Sequence, residues 1–183
     1  MTTLIDDLLN LSKVKRTPLC MEHINLSEIA ADIVADFRAR DPARQVVVEI
    51  TEGLTASFDR GLIKVALENL FGNAWKFTAK QPNARITFFP EKKDEPVFCV
   101  RDNGAGFDMK RAEKLFAPFQ RLHQSSEFEG TGIATVARII SRHGGRIWVM
   151  AAVNQGATFF FTLGGHADLL SDQSNPSLGF KAA

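Results

Sequence analysis

The sequence has no tyrosine, so neither phenolic acid–base chemistry nor tyrosine phosphorylation is open to it. Its two cysteines, Cys20 and Cys99, are too few for a disulfide framework and lack the close spacing of a metal site. Both are expected to be reduced thiols in a cytoplasmic setting. The four histidines, His23, His123, His143 and His166, stand far apart, with no HxxxH pair to build a zinc site. Neither sign of charge prevails: 22 Lys+Arg against 21 Asp+Glu leave a net charge of +1. That balance speaks against the strong basic footprint of a nucleic-acid or membrane-surface binder. No apolar run reaches the ~18 residues that a membrane-spanning helix needs. The first residues, MTTLIDDLLNLSK, are too acidic and too amphipathic for a signal peptide.

What is present is a globular composition in 183 residues, 45% apolar and 23% charged, with phenylalanine at 15 positions. That length fits one domain of ~100–200 residues with modest extras. Leu4, Ile5, Leu8, Leu9, Leu11 and Val14 recur at helical spacing, so residues 1–14 read as the end of a longer helix that a partner helix would cover. Residues 15–23, with Pro18, read as a linker. Asn25 suits the N-cap of a second helix, and Glu28 completes a capping-box pattern. Ile29, Ile33, Val34 and Phe37 form the stripe of that helix. Val46–Ile50 is β-branched and predicts a strand. Asp59 suits the N-cap of a long helix over 60–77, apolar at Leu62, Ile63, Leu67, Leu70, Phe71 and Ala74.

Strands are predicted at 85–89 and 97–102, joined by the charged turn EKKDEP. A short helix near Met109–Phe116 falls in a long irregular stretch, and a further helix over 133–143 stops at Gly144-Gly145. Strands at 146–152 and 157–163 follow, and 166–183 reads as a loose tail. The order predicts an α+β fold: a two-layer α/β sandwich with a mixed, mostly antiparallel sheet and helices on one face.

Three polar features stand out. Asn69, Asn73 and Lys76 lie at i, i+4 and i+7 of the long helix. At about 100° per residue they fall within roughly 40–60° of one another. An amide oxygen can ligate Mg²⁺ and an ammonium can pair with phosphate; a solvated helix face has the same composition. Next, Asp102 ends a strand in Asp102-Asn103-Gly104-Ala105-Gly106-Phe107, with the parity of Phe98 and Val100, which turns its carboxylate toward the core side. A buried carboxylate needs a donor, and a purine amine or a loop amide would serve. The two glycines allow close backbone approach. Last, Glu129-Gly130-Thr131-Gly132-Ile133 leads into a helix, where free N–H groups and the positive dipole end favour phosphate. No GK[ST] follows, so this is not a P-loop. Each feature alone has a bland reading; together, in this order, they point to one nucleotide site.

The blocks LENLFGNAWKFT (67–78), DNGAGFD (102–108), FAPFQRLH (116–123), EGTGI (129–133) and GATFFFTL (156–163) resemble the ATPase domain of sensor histidine kinases of the phytochrome-like type. That domain belongs to the ATPase superfamily shared with gyrase, the heat-shock 90 chaperones and MutL, and implies a Bergerat-type ATPase fold over about residues 24–165. The resemblance implies roles for individual residues. Asn73 would ligate the Mg²⁺ bridging the ATP phosphates, with Asn69 supporting that region. Lys76 would contact phosphate and, with Asn73, form the catalytic pair. Phe77 would line the base pocket and Asp102 would accept from the adenine amine. Gly104 and Gly106 would start the ATP lid, Phe116 and Phe119 would pack it, and Arg121 would approach the phosphates. Gly130, Thr131, Gly132 and Ile133 would cradle phosphate, and Thr158 would lie near the adenine end, behind Asp102.

The segment LIDDLLNLSKV resembles the end of the second helix of the family's dimerisation and phosphoacceptor hairpin. No acceptor motif surrounds any of the four histidines, so all four are expected to be structural and the chain alone is not expected to phosphorylate itself. Where the family reads GTGIGLATV, this chain reads GTGIATV, two residues short. A gap in the loop-to-helix turn would rotate the helix residues by about 200° and damage the phosphate cradle; holding the helix in place keeps Ile133, Val136 and Ile140 as a buried stripe and shortens the lid instead. The resemblance implies transfer of the ATP γ-phosphate to a histidine on a dimerisation helix outside this chain. It further implies a homodimeric parent protein, a response-regulator receiver as the next acceptor, and no nucleic-acid partner. The alternative is a degenerate ATPase-fold module with weak or no nucleotide binding, kept for partner interaction.

Overall fold

The side-chain caps set where the two long helices begin. In the computed structural model, which describes residues 18–91, 96–116 and 132–164, helix α1 runs Leu26–Arg40. Asn25 Oδ1 accepts from the N–H of Ser27 at 3.0 Å and of Glu28 at 3.4 Å, and Asn25 Nδ2 donates to Glu28 Oε1 at 3.0 Å. Helix α2 runs Arg60–Phe77, and Asp59 Oδ1 accepts from the Leu62 N–H at 3.0 Å. Both caps stand where the sequence places them, because each satisfies N–H groups that the first helical turn leaves without partners.

Five strands form the main sheet: β2 (Val47–Ile50), β4 (Arg85–Pro90), β5 (Val97–Asp102), β6 (Ile147–Ala152) and β7 (Gly156–Thr162). Their spatial order is β2-β4-β5-β7-β6. Only the β2–β4 pair is parallel; β4–β5, β5–β7 and β7–β6 are antiparallel. The expected mixed, mostly antiparallel sheet is therefore present. Between β5 and β6 lie a 3₁₀ turn (Met109–Arg111), the short helix α3 (Ala112–Phe116) and helix α4 (Ile133–Arg142). Helices α1, α2 and α4 supply Ile29, Ile33, Leu67, Leu70, Phe71, Val136 and Ile139 to the core. The sheet answers with Phe88, Phe98 and Phe161, all buried. Phe71 meets Phe88 edge-on at 5.8 Å, and Phe98 stacks on Phe161 at 5.5 Å. Offset and edge-on contacts of this kind add to plain burial.

Two elements differ from the sequence expectation. Strand β1 (Met21–Asn25) pairs with β3 (Thr55–Asp59) as a separate antiparallel ribbon, with Met21 opposite Asp59 and Asn25 opposite Thr55. The expected linker thus gives way to a strand at Met21, and Thr55–Asp59 is extended before the helix cap. The reason is composition: MEHIN and TASFD each bury a single apolar anchor, Ile24 and Phe58. One anchor makes no alternation to read. Residues 1–17 and 165–183, which hold the expected helix 1–14 and the tail 166–183, lie outside the described residues.

Candidate functional site

One open pocket lies where the C-terminal half of α2, the end of β5, the loop after it, α3, the start of α4 and the start of β7 converge. Asn73 and Phe77 reach it from α2, Asp102 from β5, Gly106 and Phe107 from the loop, Leu115 from α3, Ile133 from α4, and Ala157 and Phe159 from β7. An apolar lining with two polar side chains suits a flat, largely apolar ligand that is fixed by a few directed hydrogen bonds.

Asp102 shares the inner face of the sheet with Phe98 and Val100, as its parity predicts, and is 6% exposed. Burial pushes its carboxyl pKa up to about 6, against the backbone N–H groups of Gly104 and Ala157, which favour the ionised form. Gly104 N–H donates to Asp102 Oδ1 at 2.8 Å. A carboxylate offers two oxygens, so this bond orients the group and leaves capacity for a ligand donor. The position needs glycine: a Cβ there would come 2.5 Å from the Phe77 carbonyl oxygen and 2.8 Å from Asp102 Oδ1. Ala105 N–H donates to Phe77 O at 3.1 Å, and Asn154 N–H donates to Ala105 O at 2.7 Å. The loop after β5 is thereby stitched to the last turn of α2 on one side and to the β6–β7 turn on the other.

The three polar residues of α2 meet three environments. Asn73 is buried and lines the pocket. Asn69 is half-buried; its Nδ2 donates to Val65 O at 2.8 Å, and its Oδ1 lies against Gly132. Lys76 is exposed at the rim, with its Nζ 5.3 Å from the centroid of the Phe77 ring. Gly132 caps α4 with φ 65°, and a Cβ on it would overlap the Asn69 amide oxygen. Ile133, Val136, Ile139 and Ile140 are all buried; the segment before Gly132 lies outside the described residues.

Thr158 is a correction. It pairs with Arg101 on β5 and accepts from Arg101 Nε at 3.2 Å. Side chains alternate across a strand, so this places Thr158 on the sheet face away from the helices. The residue opposite Asp102 is Ala157, one position earlier, and it is Ala157 that lines the pocket. Leu115 carried no polar or motif signal in the sequence, and Ala157 fell in the block GATFFFTL without being singled out. Phe116 is half-buried against the core, while Phe119, Arg121, Gly130 and Thr131 lie outside the described residues.

The histidines within the described residues stand away from the pocket. His23 pairs with Ser57 in the small ribbon. His143 is buried at the end of α4 and stacks on Phe58 with ring centroids 3.4 Å apart. His123 and His166 lie outside the described residues. Cys99 is buried on the outer sheet face beside Phe160, and burial pushes its thiol up to about 12; Cys20 is exposed. Among the described residues no group of three or more His, Cys, Asp or Glu is arranged to hold a metal, and no helix is long and apolar enough to cross a membrane.

Residues 58–166 match the model of the histidine kinase-, DNA gyrase B-, and HSP90-like ATPase family. Cyanobacterial phytochrome B of Nostoc sp. is 35% identical over 168 residues, 89% of this chain and 22% of the relative. The methanogenesis regulatory histidine kinase FilI of Methanothrix harundinacea is 35% identical over 165 residues, 89% of this chain and 19% of the relative. The chain thus spans about a fifth of these curated relatives. Among solved structures, the catalytic domain of histidine kinase ThkA superposes with a TM-score of 0.65 at 26% identity, covering 78% of this chain and 94% of that one. With the polar pocket residues falling inside the matched segment, the chain belongs to the histidine kinase-, DNA gyrase B-, and HSP90-like ATPase family.

Proposed function

We propose that this chain is the ATP-binding catalytic domain of a two-component sensor histidine kinase. The observation that carries the reading is the buried carboxyl of Asp102, oriented by the Gly104 N–H in a pocket that Asn73 and Ile133 at the start of α4 also line. In this reading Asp102 accepts from the adenine amine, and Phe77, Phe107 and Phe159 enclose the base. Asn73 and the first turn of α4 face the phosphates, with Asn69 behind them. Lys76, at the rim, supplies a positive charge to the same region, joined by Arg121, Gly130 and Thr131.

The donor set fits Mg²⁺ carried by a nucleotide. The Asn73 amide oxygen is a hard donor, and Mg²⁺ commonly takes few protein ligands when phosphate oxygens and water fill its shell. Bound there, the cation would neutralise phosphate charge, the dominant need of phosphoryl transfer beside positioning. The acceptor is a histidine on a dimerisation helix of the parent kinase, a homodimer that works in the cytoplasm. The phosphoryl group then passes to an aspartate of a response-regulator receiver domain.

The test is a titration of the chain with a non-hydrolysable ATP analogue and Mg²⁺, repeated for Asp102→Ala. Saturable binding by the chain and a loss of roughly tenfold or more in the variant are expected, the cost of one lost charge-assisted hydrogen bond. Undetectable binding by the unmodified chain overturns the reading.

A further inference from the structure

His143, which caps the C-terminal end of α4, makes three contacts. Its Nδ1 lies 2.8 Å from the Ile139 carbonyl oxygen, and its Nε2 lies 3.3 Å from the Asp59 backbone nitrogen. Its ring stacks on Phe58 at an interplanar angle of 15°. A carbonyl oxygen can only accept and a backbone N–H can only donate. Nδ1 therefore carries the proton and Nε2 carries the lone pair, which defines one neutral tautomer. The charged groups nearby act in opposite directions: Asp59 favours the imidazolium and Arg142 disfavours it. Burial, helped by Arg142, outweighs the Ile139 hydrogen bond and Asp59 and lowers the ring's pKa, in keeping with a neutral imidazole.

The partners of this ring give it reach. Asp59 is the N-cap of α2, and its carboxylate also accepts from the Cys20 N–H at 3.1 Å. At the other end of α4, about 15 Å away for ten residues, Gly132 rests on Asn69 of α2 and Ile133 lines the pocket. The two helices are held together at both ends, once by His143 and once by Gly132. A rigid helix fixed at one end cannot slide at the other.

We propose that His143 is a positioning residue for the pocket: as a neutral Nδ1–H imidazole it ties the C-terminal end of α4 to the start of α2, and thereby sets where Gly132 and Ile133 stand. The inference rests on the nucleotide reading for its functional consequence and on the geometry alone for its structural one. Gln at 143 places an amide oxygen near Nε2 and keeps the link to Asp59. Asn keeps only the local bond to Ile139. Phe keeps only the stack.

The experiment uses His143→Gln, His143→Asn and His143→Phe beside the unmodified chain. Nitrogen-15 shifts of the His143 ring report the tautomer in the unmodified chain; Nδ1–H is expected, and Nε2–H overturns the proposal without any variant. Amide shifts of Gly132 and Ile133 are then read without nucleotide. They are expected to stay in place for Gln and to move for Asn and Phe, with circular dichroism unchanged. Affinity for the ATP analogue should follow, within about threefold for Gln and down roughly tenfold for Asn and Phe, the scale of a sub-ångström misplacement. Unmoved Gly132 and Ile133 amides in Phe, or a Gln variant as perturbed as Phe, overturn it. The shifts without nucleotide are independent of binding, so a chain that fails to bind the analogue refutes the nucleotide reading and leaves this one standing.

Discussion

Asp102 is held in a state that the isolated fold would be better without. Burial pushes its carboxyl up to about 6 in the folded chain, against an ordinary 3.8. A folded pKa above the unfolded one means the native state binds the proton more tightly. The stabilisation is fully present below pH 3.8 and is lost as pH rises through about 6. Ionised, the group costs the unliganded domain about 3 kcal/mol at most. Asp102→Asn keeps an oxygen for the Gly104 N–H and removes the charge. It should raise the urea midpoint at pH 8 by the equivalent of ~1–3 kcal/mol, a gain that shrinks toward pH 4, while weakening nucleotide binding. A midpoint that falls at pH 8 would contradict this. Affinity of the unmodified chain should drop as pH falls below about 6, because the neutral acid is a poorer acceptor. At Gly132, alanine brings both a left-handed backbone cost and a clash with the Asn69 amide. A loss of ~1–3 kcal/mol is expected in thermal unfolding, with displaced Asn69 side-chain resonances.

At the scale of elements, the helix ends and the five strands of the main sheet were legible, and the two strands of the small ribbon were not. Asn25, Asp59 and the Gly144 stop were readable because a cap is a local matter of one side chain and two or three backbone groups. Strands β1 and β3 depend on each other, thirty-odd residues apart, and neither carries a pattern of its own. Asp59 joins the two kinds of element, as the end of β3 and the cap of α2. Burial pushes its pKa up, but hydrogen bonds from Leu62, Cys20 and Gly61 together with His143 outweigh that and leave it lowered. A lowered pKa contributes stability that is present above 3.8 and is lost as pH falls through the folded value. Asp59→Ala should therefore destabilise by ~1–2 kcal/mol at neutral pH. The difference from the unmodified chain should narrow in acid; a gap that stays constant from pH 7 to pH 2 would rule this account out. The C-terminal end of α2 has its own brace. Arg44 Nη2 donates to Thr78 Oγ1 at 2.8 Å, and the guanidinium lies 4.9 Å over the Trp75 ring. A cation there complements the negative end of the helix dipole, just beside Lys76 and Phe77.

For the whole molecule, the reading as a catalytic domain without its acceptor makes a direct prediction. Mixed with ATP and Mg²⁺, the 183-residue chain should leave its four histidines unlabelled. It should label a histidine supplied in trans on a separately expressed dimerisation hairpin of the parent kinase. Radiolabel from the γ-phosphate on His23, His123, His143 or His166 would refute it. His143 is the least available of the described pair, since both ring nitrogens and one ring face already have partners.

Taken by itself, the sequence determined the element order around the pocket, the caps of its two long helices, and the set of blocks that mark the family. These follow from local dihedral preference, side-chain period and motif spacing, which act within a few residues. The tertiary structure alone decided the finer placements around the pocket. It put Ala157 rather than Thr158 opposite Asp102, left Lys76 at the rim, set Asn69 against Gly132, and gave His143 one tautomer. Strand parity relative to a distant neighbour and the desolvation of a charge depend on what packs around a residue after folding. Neither quantity is present in the chain until its long-range contacts form.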